Sequence, residues 1–323
     1  MLTYVLFVIG FVLLIKGADL LVDGSVSVAK RAKISSIVIG LTIVAFGTSM
    51  PELVVNLFAS ATGNTAIAIG NVLGSNIANI LLILWISAII FPLVSKKNTS
   101  WKEVPLSLLA ALLVGILAND FLIDGNTRYS GLTRTDGLVL IAFFSLFMVY
   151  IFSIAKEKDV ETVTELDEMK KMGKWKSALY IVLWLIGLAV WGKWIVDGAV
   201  QIATFFGVSQ SLIGLTIVAI WTSLPELATS AVAAYKKESD IAIGNVVWSN
   251  IFNIFRVLGL SAIIRPLPFS PANLPDIFMT ILASLILFLA LFVGKKHIVQ
   301  RWQGVLFVLM YVAYVVFLVI TQG

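Results

Sequence analysis

Glu52 and Glu226 stand inside long apolar runs of the chain, where an ionisable side chain is costly and by default marks a functional site. Their surroundings repeat. Residues 39–93 contain GLTIVAFGTSMPEL and IAIGNVLGSNIANI, and residues 213–267 contain GLTIVAIWTSLPEL and IAIGNVVWSNIFNI. A constant offset of 174 aligns the two copies without a gap, and 31 of the 55 aligned positions are identical. Glu52 thereby pairs with Glu226, Pro51 with Pro225, Ser75 with Ser249, Asn76 with Asn250 and Asn79 with Asn253. Two buried acids at equivalent places of a repeat point to one shared central site.

The residue types around each acid suggest what it would bind. A proline inside a helix has no N–H for the carbonyl four residues back and crowds it. Pro51 thus frees carbonyls around Gly47 and Thr48, and Pro225 does so around Trp221 and Thr222. Freed carbonyls in hydrocarbon need a cavity or a ligand. Serine hydroxyls stand beside each Pro-Glu, and Ser75, Asn76 and Asn79 share a helical face that can complete an oxygen-rich cluster. Oxygen donors without nitrogen or sulfur suit hard cations: Na⁺, Ca²⁺, Mg²⁺ and K⁺. One Ca²⁺ would neutralise both glutamates, and the same oxygens, divided, could hold several Na⁺ ions. Competition for one charged site is the simplest physical basis for exchange. For Asn76 and Asn250 a second role stands beside ligation, because such amides fasten membrane helices together by hydrogen bonds.

The elements that position these residues follow from composition. The chain is 59% hydrophobic and 13% charged, with mean hydropathy +1.01. That apolar surface needs a bilayer as solvent. Zero cysteines exclude a disulfide framework or thiolate metal site. Ten apolar stretches have spanning length, near 3–22, 36–60, 66–93, 104–121, 136–155, 177–197, 210–234, 241–267, 275–294 and 303–321. The expected fold is an all-α polytopic membrane protein of ten transmembrane helices in two inverted-topology repeats of five. The first half covers 1–155, a polar loop covers 156–176, and the second half covers 177–323. The N-terminus has no basic leader and reads as a retained first helix. With both termini outside the plasma membrane and the central loop cytoplasmic, seventeen loop Lys and Arg fall inside and Arg128, Arg134 and Arg265 outside.

At the two motifs the sequence resembles the cation/Ca²⁺ antiporter superfamily, and within it prokaryotic sodium/calcium exchangers. The resemblance implies that Glu52 and Glu226 ligate Ca²⁺ with the backbone carbonyls of Thr48 and Thr222. It implies Na⁺ positions that draw on Ala45, Ser49 and Ser249 on one side and on Ala219, Ser223 and Ser75 on the other, with Asn79 and Asn253 lining the middle. It also implies alternating access, with helices 1 and 6 sliding over the other eight. No cofactor is expected beyond the transported Ca²⁺ and Na⁺. A monomer in the lipid bilayer without nucleic acid is the expected state.

Three departures from that pattern stand out. Asn occupies both 79 and 253, where exchangers often carry Asp at the second, so two carboxylates replace three and the coupling ion is open between Na⁺ and H⁺. Five glycines align with tryptophans at the repeat offset: Gly10 with Trp184, Gly17 with Trp191, Gly47 with Trp221, Gly74 with Trp248, and Gly259 with Trp85. Indole in a glycine-sized space overpacks by about 1–3 kcal/mol or props helices apart, so the expectation is a partly plugged site and sliding seam unless the rings lie in interfacial belts. Arg256 replaces Leu82 of the other copy, three residues after Asn253, where it either pairs with Glu52 or Glu226 as a tethered cation or points elsewhere. Asp23 and Asp197 read as boundary charges, and His297, the one histidine, reads as a loop residue. An intramembrane hydrolase is disfavoured by the lack of a serine nucleophile motif with a matching histidine, of a zinc-binding HExxH and of a Gly-x-Gly-Asp pair. A channel would need a continuous pore, which the repeat inversion disfavours.

Overall fold

The computed structural model describes residues 2–32, 38, 40–125, 130–156, 173–205, 219–270 and 273–322. Most of the polar loop expected at 156–176 lies outside these residues, as do Arg128 and the start of the second repeat at 213–218. The protein is an all-α membrane protein. Among the described residues six helices are long and apolar enough to cross a bilayer, within α1 (Leu2–Ala32), α4 (Thr65–Ile90), α5 (Thr99–Leu117), α7 (Arg134–Lys156), α11 (Ser239–Ile264) and α13 (Arg301–Gln322). The other helical elements are α2 (Ala45–Thr48, after a π-helical turn at Gly40–Val44), α3 (Met50–Thr62), the short α6 (Asp120–Asp124), α8 (Lys174–Phe205), α9 (Ala219–Thr222), α10 (Leu224–Tyr235) and α12 (Leu274–Ala290).

The prolines act where the sequence places them. Helical geometry lapses at Ser49 (φ −87°, ψ 7°) between α2 and α3 and at Ser223 (φ −90°, ψ 0°) between α9 and α10, and Pro51 and Pro225 open the second piece of each. The neighbouring helices α4 and α11 are the most enclosed, with 72% and 78% of their apolar windows buried against 17–39% for the other four spanning candidates. Each loosens into a π-helical stretch where its motif ends, Asn79–Leu84 and Phe252–Leu258. Such bulges re-aim side chains and gather at functional sites.

The last helix of each half packs on the other half. Gly137 of α7 meets the Gly259 carbonyl of α11, so closely that a Cβ would sit 2.7 Å away, and Gly304 of α13 meets the Trp85 carbonyl of α4 at the same spacing. Arg134 Nε donates to the Ile263 carbonyl (3.1 Å) and Arg301 Nη2 to the Ile90 carbonyl (3.2 Å). Two short antiparallel strand pairs repeat the exchange: β1 (Leu93–Val94) with β4 (Ile298–Val299), and β2 (Gly131–Leu132) with β3 (Leu267–Pro268). His297 immediately precedes β4 of the first pair. It takes φ 61°, accepts from Ser95 N–H at its carbonyl and holds its Nδ1 2.9 Å from Ser100 Oγ, so it shapes a turn.

Helices α1 and α8 lie against each other along their length. Phe7 contacts Gly198 near one end, and Gly24 contacts Ser177 and Ile181 near the other, so the two run antiparallel. Here the expected overpacking is corrected. A Cβ on Gly17 would lie 2.7 Å from Trp184 Cζ3 and closer still to Trp191, so the glycine of one copy makes room for the tryptophans of the other. Trp85 is likewise seated, its ring 4.2 Å from that of Phe307, while its counterpart Gly259 receives α7. At this seam a small residue of one helix faces large ones of the other, and the summed volume fits.

Candidate functional site

The two broken helices bring their acids into one buried cluster. Glu52 and Glu226 are both fully buried, and their carboxyl groups are close enough to repel each other. Ser49, at the first break, places Oγ 2.9 Å from Glu226 Oε1 and 2.8 Å from Ser249 Oγ, while Ser249 Oγ lies 3.4 Å from the same carboxylate oxygen. Thr48 and Thr222 take equivalent partners: Thr48 Oγ1 donates to Asn245 Oδ1 (3.0 Å) and Thr222 Oγ1 to Asn71 Oδ1 (3.0 Å). Ser75 Oγ stands 3.3 Å from Thr222 Oγ1. The Ala45 carbonyl accepts from Ser49 N–H (3.0 Å) and Thr48 Oγ1 (3.2 Å). The Ala219 side chain is outside the described residues.

Asn76 and Asn250 fasten α4 to α11, each donating Nδ2 to the other's backbone carbonyl, at 3.2 and 3.4 Å. Asn250 Oδ1 accepts from Asn79 Nδ2 (3.0 Å) and Asn76 Oδ1 from Asn253 Nδ2 (3.1 Å). Spending those amide donors on the neighbours turns the oxygens of Asn79 and Asn253 away from any donor. Both Oδ1 atoms are buried and accept no hydrogen bond among the described residues, as do both oxygens of Glu52, Glu226 Oε2 and Ser223 Oγ. Buried acceptors are normally paired, and leaving one unpaired costs about 1–3 kcal/mol, more when it is charged. This concentration of lone pairs fits a cation with oxygen ligands. Among the described residues no Lys or Arg forms an ion pair with either glutamate. Lys236 is committed to Asp19 (2.8 Å) and Asp23 (2.5 Å) of α1, which draws Asp23 into a helix–helix contact beyond a boundary role.

Arg256 does not act as a tethered cation. Its guanidinium lies 5.3, 5.5 and 5.3 Å from the ring centres of Phe46, Phe144 and Phe252, with no ion pair to either glutamate among the described residues. A π-helical turn rotates it off the face that carries Asn253, and three aromatic faces replace the carboxylate as its partner. Trp248 is not a plug either. Its buried ring packs on Phe144, Phe147 and Phe252, with centroids 6.1, 5.3 and 6.1 Å away. Trp221 is partly buried. The Asp197 side chain lies outside the described residues.

The sequence reading passed over Asn71 and Asn245, although the repeated Gly-Asn at 70–71 and 244–245 was the available signal. It also passed over Asn56 and Ser60, which only one copy carries. Both are fully buried on α3 beside Glu52.

Comparison with known proteins finds relatives along almost the whole chain. The family model described as "Sodium/calcium exchanger protein" matches residues 2–153 and 176–320. The putative antiporter CaxA of Alkalimonas amylolytica is 39% identical over 312 residues, covering 95% of each chain. The sodium/calcium exchanger MaX1 of Methanosarcina acetivorans is 32% identical and covers 98% of each. The solved structure of the sodium-calcium exchanger NCX_Mj, soaked with Na⁺ and Sr²⁺, superposes with TM-score 0.82 at 32% identity over 98% of each chain.

Proposed function

The chain belongs to the sodium/calcium exchanger protein family, whose members are transporters and not enzymes, and from that premise we propose that it is a secondary antiporter that passes Na⁺ one way and Ca²⁺ the other by alternating access. The observation that carries this reading is the uncompensated charge at the centre. Two fully buried carboxylates share one cluster, and among the described residues three of their four oxygens lack a hydrogen bond and no basic side chain pairs with them.

Glu52 and Glu226 neutralise a Ca²⁺ with the carbonyls of Thr48 and Thr222, which the two helix breaks make available. Na⁺ ions take the flanking oxygens of Ala45, Ser49 and Ser249 and of Ala219, Ser223 and Ser75. Asn79 and Asn253 turn their free Oδ1 atoms toward the middle. A loaded site approaches neutrality and can be exposed in turn to either face. An ionised site without cations holds two like charges in low dielectric, which costs several kcal/mol per ion.

The ten-span arrangement with inverted halves is part of the same proposal. It is supported by the antiparallel run of the equivalent helices α1 and α8 and by the seventeen-to-three distribution of basic residues. Both termini then lie outside the cell membrane with the 156–176 loop inside, and the chain works as a monomer. Coupling to H⁺ is the alternative that Asn253 favours, since only two carboxylates remain and each could carry a proton. Uptake of radiolabelled Ca²⁺ into proteoliposomes separates the two. An outward Na⁺ gradient drives it if Na⁺ is the counter-ion, and a pH gradient alone drives it if H⁺ is. Glu52→Gln should abolish either. Uptake insensitive to both gradients would sink antiport.

A further inference from the structure

The two broken helices differ along the face that leads away from the acid. On α3, Glu52, Asn56 and Ser60 are spaced by four residues and so line one face, each step about 6 Å along the axis. All three are sealed from bulk water, at 0%, 0% and 1% exposure. Both amide atoms of Asn56 and the Ser60 hydroxyl have no hydrogen-bond partner among the described residues, and Asn71 Nδ2, on the adjacent α4, has none either.

The second half closes the same place. There the equivalent side chains are Glu226, Ser230 and Ala234, and Asn245 Nδ2 donates to Ser230 Oγ at 2.9 Å. Where Ser230 satisfies Asn245, Asn56 leaves Asn71 unsatisfied. The first half thus keeps a ladder of buried oxygens, and its last rung lies three residues from the left-handed turn at Gly63. Buried polar groups without partners call for a bound species. An amide oxygen, a hydroxyl and a carboxylate in sequence are ligands for a hard cation.

We propose that Asn56 and Ser60, through the Asn56 Oδ1 and Ser60 Oγ oxygens, form an auxiliary cation site on the Gly63 side of the central cluster, where Na⁺ or Ca²⁺ sheds water before reaching Glu52. The proposal rests on the antiporter reading. It gives the exchanger unequal faces: a cation arriving from the Gly63 end is held by side chains on its way, and one arriving from the Lys236 end is not. By the basic-residue distribution the Gly63 end is the outer one.

The test compares right-side-out with everted membrane vesicles from a bacterial host, measuring the KM for Ca²⁺ and for Na⁺ presented at each face. Asn56→Leu should raise the outer-face KM about fivefold, the loss of one ligand of hydrogen-bond strength, and leave the inner-face KM unchanged. Asn56→Asp should lower the outer-face KM for Ca²⁺ more than for Na⁺. Unchanged outer-face constants, or equal changes at both faces, would overturn the site. If Asn56→Leu does not reach the membrane, Asn56→Asp decides alone: a lower outer-face KM supports the site, and an unchanged or higher one overturns it. Wild-type vesicles that show no exchange at either face would overturn the antiporter reading instead.

Discussion

Two copies of one motif hold their glutamates differently. Glu226 is met by Ser49 and Ser249, whereas Glu52, in the same local sequence, has Thr222 as its side-chain neighbour and no serine on it among the described residues, and Ser223, the counterpart of Ser49, donates to nothing among them. Identity along the chain therefore does not give identity in the site. The difference comes from what surrounds each copy, and it leaves the first acid poised for a ligand while the second is already partly held.

The strongest way to break this comparison is to remove each charge in turn. Glu52→Gln and Glu226→Gln should each reduce Ca²⁺ uptake by about a hundredfold or more, as expected when a buried site loses a charge worth roughly 3 kcal/mol. Retained uptake in either variant would show that the acids are not one site. Next is Trp248→Ala, which should lower the protein's stability in detergent by about 3–5 kcal/mol without raising flux, because its ring fills core beside Phe147. A rise in ion flux in that variant would restore the plug.

A sharper comparison sets Ser49→Ala against Ser223→Ala. The first strips a donor from Glu226 and should cost about 1–3 kcal/mol in thermal unfolding without ions, and the second should be nearly neutral. Equal losses would mean that the two acids are held alike. Smaller still, Arg256→Leu should leave Ca²⁺ affinity where it was, since the guanidinium is occupied by Phe46, Phe144 and Phe252. Lys236→Met should cost only about 0.5–1 kcal/mol, as for a partly exposed pair, while changing the balance between the two access states in uptake assays of opposite sidedness.

The site was legible because it is written twice. A proline followed by glutamate, with serine and asparagine at fixed distance, implies a helix break and an oxygen cluster, and the breaks at Ser49 and Ser223 follow that pattern. The tryptophans were misread because volume was judged against the equivalent position of the other copy, as if both copies sat in the same environment. Gly17 and Trp191 are equivalent and also face each other, so the mismatch along the sequence becomes a match across the seam. Arg256 stayed open between a carboxylate partner and another surrounding, because an α-helical count of three residues from Asn253 does not include the wider π turn. The bonding of Asn71, Asn245 and Asn56 depends on contacts between helices, and those have no local signature.

The closing of each half by the other's final helix sets a timetable for biosynthesis. When α7 enters the membrane, the surface it will cover on α11 has not yet been translated, and Gly137 has nothing to nest against. That helix must wait in lipid while the rest of the chain is made. A premature stop anywhere before residue 239 therefore strands it without a partner, and the cell's quality control would meet an orphan span instead of half a transporter.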